Sequence, residues 1–129
     1  MVNISSPNTP GLRELQNKGI LESLIGKILE ERERASHQPP IVLKISPDLK
    51  NQALREIADA AVSFKIDGLI TTNTTTDRPN SLISENKTME GGLSGRPLMA
   101  ASTSVLRSLY QHTGGKIPII GSGGVFTGE

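Results

Sequence analysis

The chain has 129 residues, of which 35% are apolar and 2% aromatic, so it fits one small domain built on an aliphatic core. Lys and Arg number 14 against 13 Asp and Glu, a balance that offers no electrostatic footprint for nucleic acid or an anionic membrane. The absence of cysteine excludes disulfides, thiolate catalysis and thiolate metal sites, and no stretch reaches the ~18 apolar residues of a membrane span, so the chain itself reads as soluble.

The opening stretch VNISSPNTPG, residues 2–11, holds the turn formers Pro7, Pro10 and Gly11. Around them lies a dense set of neutral hydrogen-bonding groups: Asn3, Ser5, Ser6, Asn8 and Thr9. Such a stretch is either a plain loop or a pocket for a polar, planar ligand. Leu12, Leu15, Leu21, Leu24, Ile25, Ile28 and Leu29 then recur at helical intervals, with charged residues between them, which predicts an amphipathic helix from 12 to about 34. Pro39 and Pro40 end it, because proline cannot continue a helix and pushes its predecessor to extended geometry. IVLKI (41–45) predicts a strand, Leu54, Ile57, Ala58, Ala61 and Val62 a second helix capped near Asn51, and IDGLITT (66–72) a second strand.

From Thr72 to about Arg96 the periodicity dissolves. A connection that long in a compact domain is expected to be functional and to lie over a site. A third helix is predicted over 97–112, on Leu98, Val105, Leu106 and Leu109, and a third strand over 116–121, ending in GSGGVFTG. Strands and helices alternate, which implies βα units and a parallel sheet. Ligands bind such sheets at the carboxyl ends of the strands, and those ends here read VNISSPN, LKISPD, LITTNTT and IIGSGG.

Four features could carry chemistry. Lys44 sits inside a strand, either as a charge guarding an exposed sheet edge or as a cation aimed into a ligand cavity. TTNTTT reflects the strand propensity of threonine with an Asn turn, or it presents Thr72, Asn73 and Thr74 to a ligand. GSGGVFTG follows a strand as phosphate loops do, although Phe126 stands where a dinucleotide fingerprint would have its third glycine. GGLSG (91–95) suits a hinge or a second backbone approach to a cofactor. The two histidines, His37 and His112, stand apart and read as surface or capping residues.

In order, VNISSPNTPGLRELQ, VLKISPDL, IDGLITTNTT, GGLSGRPL and IPIIGSGGV resemble dihydroorotate dehydrogenase, the FMN enzyme of pyrimidine synthesis, over the whole 129 residues. The resemblance is to its membrane-associated, quinone-reducing class, because Ser6 stands where the soluble enzymes have Cys. It implies a parallel (β/α)8 TIM barrel, an α/β fold that needs about 250 residues. Residues 1–129 would then be a single-domain fragment of the FMN-binding catalytic barrel, from the end of the fourth strand to just past the seventh. That would explain why the chain opens inside a loop of the active site.

The resemblance also implies roles. Ser6 would be the base that takes a proton from C5 of dihydroorotate as hydride leaves C6 for the flavin, with Thr9 and water relaying the proton. Asn3, Asn8, Asn73 and Thr74 would hydrogen-bond the pyrimidine and its carboxylate. Lys44 would face the flavin where negative charge appears on reduction, and Asn3, Thr72, Gly95 and Gly124 would also contact FMN. The product would be orotate and the final electron acceptor a quinone. Membrane association would come only through segments outside this chain, at the mitochondrial inner membrane in a eukaryote or the cytoplasmic membrane in a bacterium. No metal and no nucleic-acid partner is expected, and the chain alone is not expected to turn over substrate. Two rivals are another FMN-dependent pyrimidine oxidoreductase and a non-catalytic phosphate- or ligand-binding unit.

Overall fold

A computed structural model of the chain describes residues 1–127. Four short strands, β1 (Val2–Asn3), β2 (Val42–Ile45), β3 (Gly68–Thr71) and β4 (Ile119–Gly121), form one sheet in the order β1-β2-β3-β4. All three pairings are parallel. Between them run the helices α1 (Lys18–Arg34), α2 (Asn51–Ser63) and α3 (Met99–Thr113). A strand order that follows the chain without reversal, with every helix on one face, is the winding of a (β/α)8 barrel. A doubly wound sheet would reverse its order at a switch point.

Register decides which side chains meet the helices. Val2, Leu43, Leu69 and Ile119 lie side by side across the sheet, and Leu43 and Leu69 are fully buried. They form one core with Leu21 and Ile25 of α1, Leu54, Ile57, Ala58 and Ala61 of α2, and Val105 and Leu109 of α3. Burying a side chain such as Ile57 contributes roughly 2 to 3 kcal/mol, so it is this apolar stripe that holds each helix to the sheet. The next row, Asn3, Lys44, Ile70 and Ile120, points to the opposite face, which no helix among the described residues covers.

The helix expected from residue 12 is divided. Leu12–Gln16 form a 3-10 turn, Asn17 is extended (ψ 135°), and α1 starts at Lys18. Leu12 and Leu15 are three apart, a spacing that fits a 3-10 turn as well as an α-helix. The break turns buried Gln16 inward, where its Oε1 accepts the Ser46 backbone N–H at 2.9 Å. The cap expected near Asn51 is absent: Asn51 is the first helical residue of α2, Lys50 precedes it, and no side chain caps the helix. The three predicted strands are each shorter than expected, Val42–Ile45, Gly68–Thr71 and Ile119–Gly121 in place of 41–45, 66–72 and 116–121. Ile41, for instance, lies outside β2 because its N–H bonds the Asp67 carboxylate (2.7 Å) instead of a neighbouring strand.

Candidate functional site

The carboxyl ends of β1, β2 and β3 meet through an amide network. Asn73 donates from Nδ2 to Asn3 Oδ1 (3.0 Å) and to Ser5 Oγ (3.1 Å), while its Oδ1 accepts the Thr74 backbone N–H at 2.8 Å. These bonds fix which way the Asn73 amide points. Its backbone N–H bonds Ile45 O (2.8 Å), and the buried Ser5 hydroxyl donates to Lys44 O at 2.6 Å, so three strand ends are locked together. Asn3 is exposed, and among the described residues its Nδ2 has no acceptor, which leaves two donors facing the uncovered side of the sheet.

Lys44 lies on that same side, in register with Asn3 and Ile70. Because β2 is paired on both flanks, Lys44 is not an edge residue, and the edge-guard reading is set aside. The side chain is half-buried, and no carboxylate among the described residues pairs with it. An ammonium in that position suits an anionic ligand.

Ser6 is half-buried on the loop after β1, and its hydroxyl accepts the Asn8 backbone N–H at 3.3 Å, leaving its own proton undirected among the described residues. Asn8 and Thr9 are exposed, and no hydrogen bond joins Thr9 to Ser6. Thr72 is buried. Its hydroxyl donates to Asn73 O (2.8 Å) and its N–H to Ser122 O (2.7 Å), which ties the end of β3 to the glycine loop after β4.

The glycines have separate reasons. Gly95 (φ 75°, ψ −152°) occupies a region closed to other residues and starts the run into α3. Gly124 (φ 72°) lies against the first turn of α3, where a Cβ would stand 2.6 Å from Met99 Cα. Gly123 and Gly124 both have positive φ, and their N–H groups find no acceptor among the described residues, as an anion-binding turn requires.

The long loop 72–96 does lie over the strand ends. Thr75 and Leu93 form an antiparallel bridge, and Arg78 donates to five backbone carbonyls, those of Thr75, Asp77, Lys87, Met89 and Gly91. The folded loop presses Gly92 onto Thr74 and Pro7, so that a Cβ there would stand 1.8 Å from Thr74 Oγ1.

Sequence reasoning missed Arg13, Asp48, Gln16 and Arg78. The Arg13 guanidinium bonds Asp48 Oδ2 (2.8 Å), Thr74 O (3.2 Å) and Ser5 O (3.4 Å). Asp48 also accepts from the Thr75 hydroxyl and from the N–H (3.0 Å) and hydroxyl (3.1 Å) of Thr76. Burial pushes the Asp48 carboxyl up, but the bonds from Thr75, Thr76 and Arg13 outweigh it and hold the group below its ordinary value. Asp48 follows Pro47 at a strand end, a turn signal that could have exposed it; Arg13 resembles any charge on a helix face. His37 is exposed and His112 half-buried in the last turn of α3, both away from the site.

The family model for dihydroorotate dehydrogenase matches residues 1–129. The chain is 47% identical to the dihydroorotate dehydrogenase (quinone) of Parvibaculum lavamentivorans, covering 99% of this chain and 36% of that protein. It is 48% identical to the mitochondrial dihydroorotate dehydrogenase (quinone) of Mus musculus and 47% identical to that of Schizosaccharomyces pombe, covering all of this chain and 33% and 30% of those proteins. The chain thus spans about a third of the length of these curated relatives. The crystal structure of the Eimeria tenella enzyme in complex with ferulenol superposes with a TM-score of 0.93 at 44% identity, over 98% of this chain and 38% of that one. With the family model matched from end to end and the barrel winding already evident, the chain belongs to the dihydroorotate dehydrogenase family.

Proposed function

We propose that this chain supplies the proton-handling and substrate-holding part of a quinone-linked dihydroorotate dehydrogenase that uses FMN. The observation that carries the reading is the Asn3–Ser5–Asn73 network that joins three strand ends, with the half-buried Lys44 ammonium in register with Asn3 and Ser6 following Ser5 on the same loop. The residues fit FMN: the half-buried Lys44 ammonium, without a carboxylate partner among the described residues, suits a flavin ring that gains negative charge on reduction, and the Gly123–Gly124 turn offers unclaimed N–H groups to a phosphate ester.

When bound, FMN would accept the hydride from C6 and pass its electrons to the quinone. Ser6 would take the C5 proton. A serine hydroxyl is a weak base near neutral pH, so the proton must leave it at once, toward Thr9 through water. Asn3, Asn8 and Thr74 would hold the pyrimidine and its carboxylate. Asn73 would join them by exchanging one of its two Nδ2 bonds for a bond to the ligand. Lys44 would favour negative charge beside the flavin, and Thr72, Gly95 and Gly124 would shape the cofactor's seat. The quinone would be met through segments outside this chain, at the mitochondrial inner membrane or the bacterial cytoplasmic membrane.

The test is an anaerobic titration of a full-length dehydrogenase carrying this segment. Dihydroorotate should bleach the flavin absorbance with orotate as product, and quinone should restore it. Bleaching by a different dihydropyrimidine alone would point to another oxidoreductase, and no bleaching by any would point to a non-catalytic binding unit.

A further inference from the structure

Arg13 stands on the 3-10 turn just after the Ser6 loop, and each of its three guanidinium nitrogens addresses a different strand end. Nε donates to Ser5 O after β1, Nη1 to Asp48 after β2, and Nη2 to Thr74 O after β3. The side chains keep 27% and 23% exposure, so this is a pair half withdrawn from water and tied into a network. An isolated surface pair would contribute little.

We infer that Arg13, held by Asp48, is a positioning residue that sets Ser6 against the groups that hold the substrate. The inference rests on the reading of Ser6 as the base. Ser5 O belongs to the planar peptide that leads into Ser6, so fixing that oxygen fixes the plane from which the Ser6 side chain departs. Among the described residues the Ser6 hydroxyl has only the Asn8 N–H as partner, so its direction depends on its backbone. Thr74 O belongs to the peptide that follows Asn73 and Thr74, and Asp48 binds the next two residues, Thr75 and Thr76. One planar fork therefore spaces the proton acceptor from the pyrimidine-holding residues. Lysine, a single point of charge, could reach Asp48 without spanning both carbonyls.

The experiment uses full-length FMN-loaded enzyme carrying Arg13→Gln, Arg13→Lys or Asp48→Asn, each also combined with Ser6→Ala. Flavin content, orotate binding and the rate of flavin reduction at saturating dihydroorotate are measured. Arg13→Gln should slow reduction about 10- to 100-fold, the scale expected when reacting groups are displaced by about an ångström. Orotate binding should stay within about threefold, and Arg13→Lys and Asp48→Asn should fall between. In the Ser6→Ala background the same substitution should change the residual rate less than about twofold, because a residue acting through Ser6 has nothing left to position. Equal factors in both backgrounds would make Arg13 a general structural support and overturn the inference. So would parent rates in the single variants. If Arg13→Gln fails to fold, Arg13→Lys and Asp48→Asn decide by the same criteria. A Ser6→Ala enzyme that reduces flavin at the parent rate overturns the base assignment, whereas a slow Ser6→Ala enzyme beside an unimpaired Arg13→Gln enzyme overturns this inference alone.

Discussion

Adding one methyl group at Gly92 should disable the site without removing any polar group. A Cβ there would stand 1.8 Å from Thr74 Oγ1, 2.5 Å from Thr74 Cβ and 3.1 Å from Pro7 Cγ. Rotating the Thr74 side chain relieves the first clash and leaves the second, since Cβ does not move with χ1. Carbon atoms settle at about 3.5 Å or more, so Thr74 and the loop must separate by about 1 Å. Gly92 is not among the glycines with positive φ, so the alanine backbone itself is unstrained and the effect is steric. Overpacking of this kind costs about 1 to 3 kcal/mol of stability. If Thr74 holds the substrate as proposed, the same displacement should lower flavin reduction by dihydroorotate on the order of 100-fold. The assay is stopped-flow reduction in the full-length enzyme, with flavin content measured in parallel. Gly26→Ala serves as control, because Gly26 lies in the middle of α1 with open space around it and alanine there should add about 0.5 to 1 kcal/mol of stability with activity unchanged. Gly92→Ala with the parent rate and the parent KM would refute the claim that the folded loop 72–96 sets Thr74.

Lys44→Met should weaken FMN retention and slow flavin reduction together, because an ammonium in the middle of a paired sheet favours the more negative, reduced cofactor; flavin content after dialysis and stopped-flow rates check it, and a variant normal in both would contradict it. Asp48 gives a pH dependence. Its folded-state carboxyl lies below the ordinary value of 3.8, so its contribution to stability is present above that pH and is lost as pH falls through the lowered value. The difference in melting temperature between parent and Asp48→Asn should be largest near neutral pH and shrink below about pH 4; a gap that widens in acid would reverse the assignment.

How much was legible follows from the range of each signal. The apolar stripe Leu54, Ile57, Ala58 and Ala61 and the short strand runs are local patterns, and together with the βα alternation they imply the parallel sheet that is observed. The break at Asn17 was hidden because a 3-10 turn and an α-helix share the three-residue spacing of Leu12 and Leu15. The position of Lys44 within the sheet required knowing that β2 is paired on both sides, which spacing along the chain does not contain. Arg13 and Asp48 were out of reach for the same reason: they stand 35 residues apart, and their partnership exists only once three loops have been brought together. The polar strand ends were visible because Asn, Ser and Thr are dense there, but density did not say that Asn73 would bond Asn3 across 70 residues.

The most direct test of the account is a single-turnover measurement of flavin bleaching by saturating dihydroorotate, without oxygen, in full-length enzyme with Ser6 intact and with Ser6→Ala. Among the described residues the Ser6 hydroxyl accepts one hydrogen bond, from the Asn8 N–H, and makes none that joins two elements of the fold. The alanine variant should therefore keep its FMN and its orotate affinity while flavin reduction falls by about 100-fold or more, the share of a positioned acid or base. Reduction at the parent rate by an FMN-loaded Ser6→Ala enzyme would contradict the account.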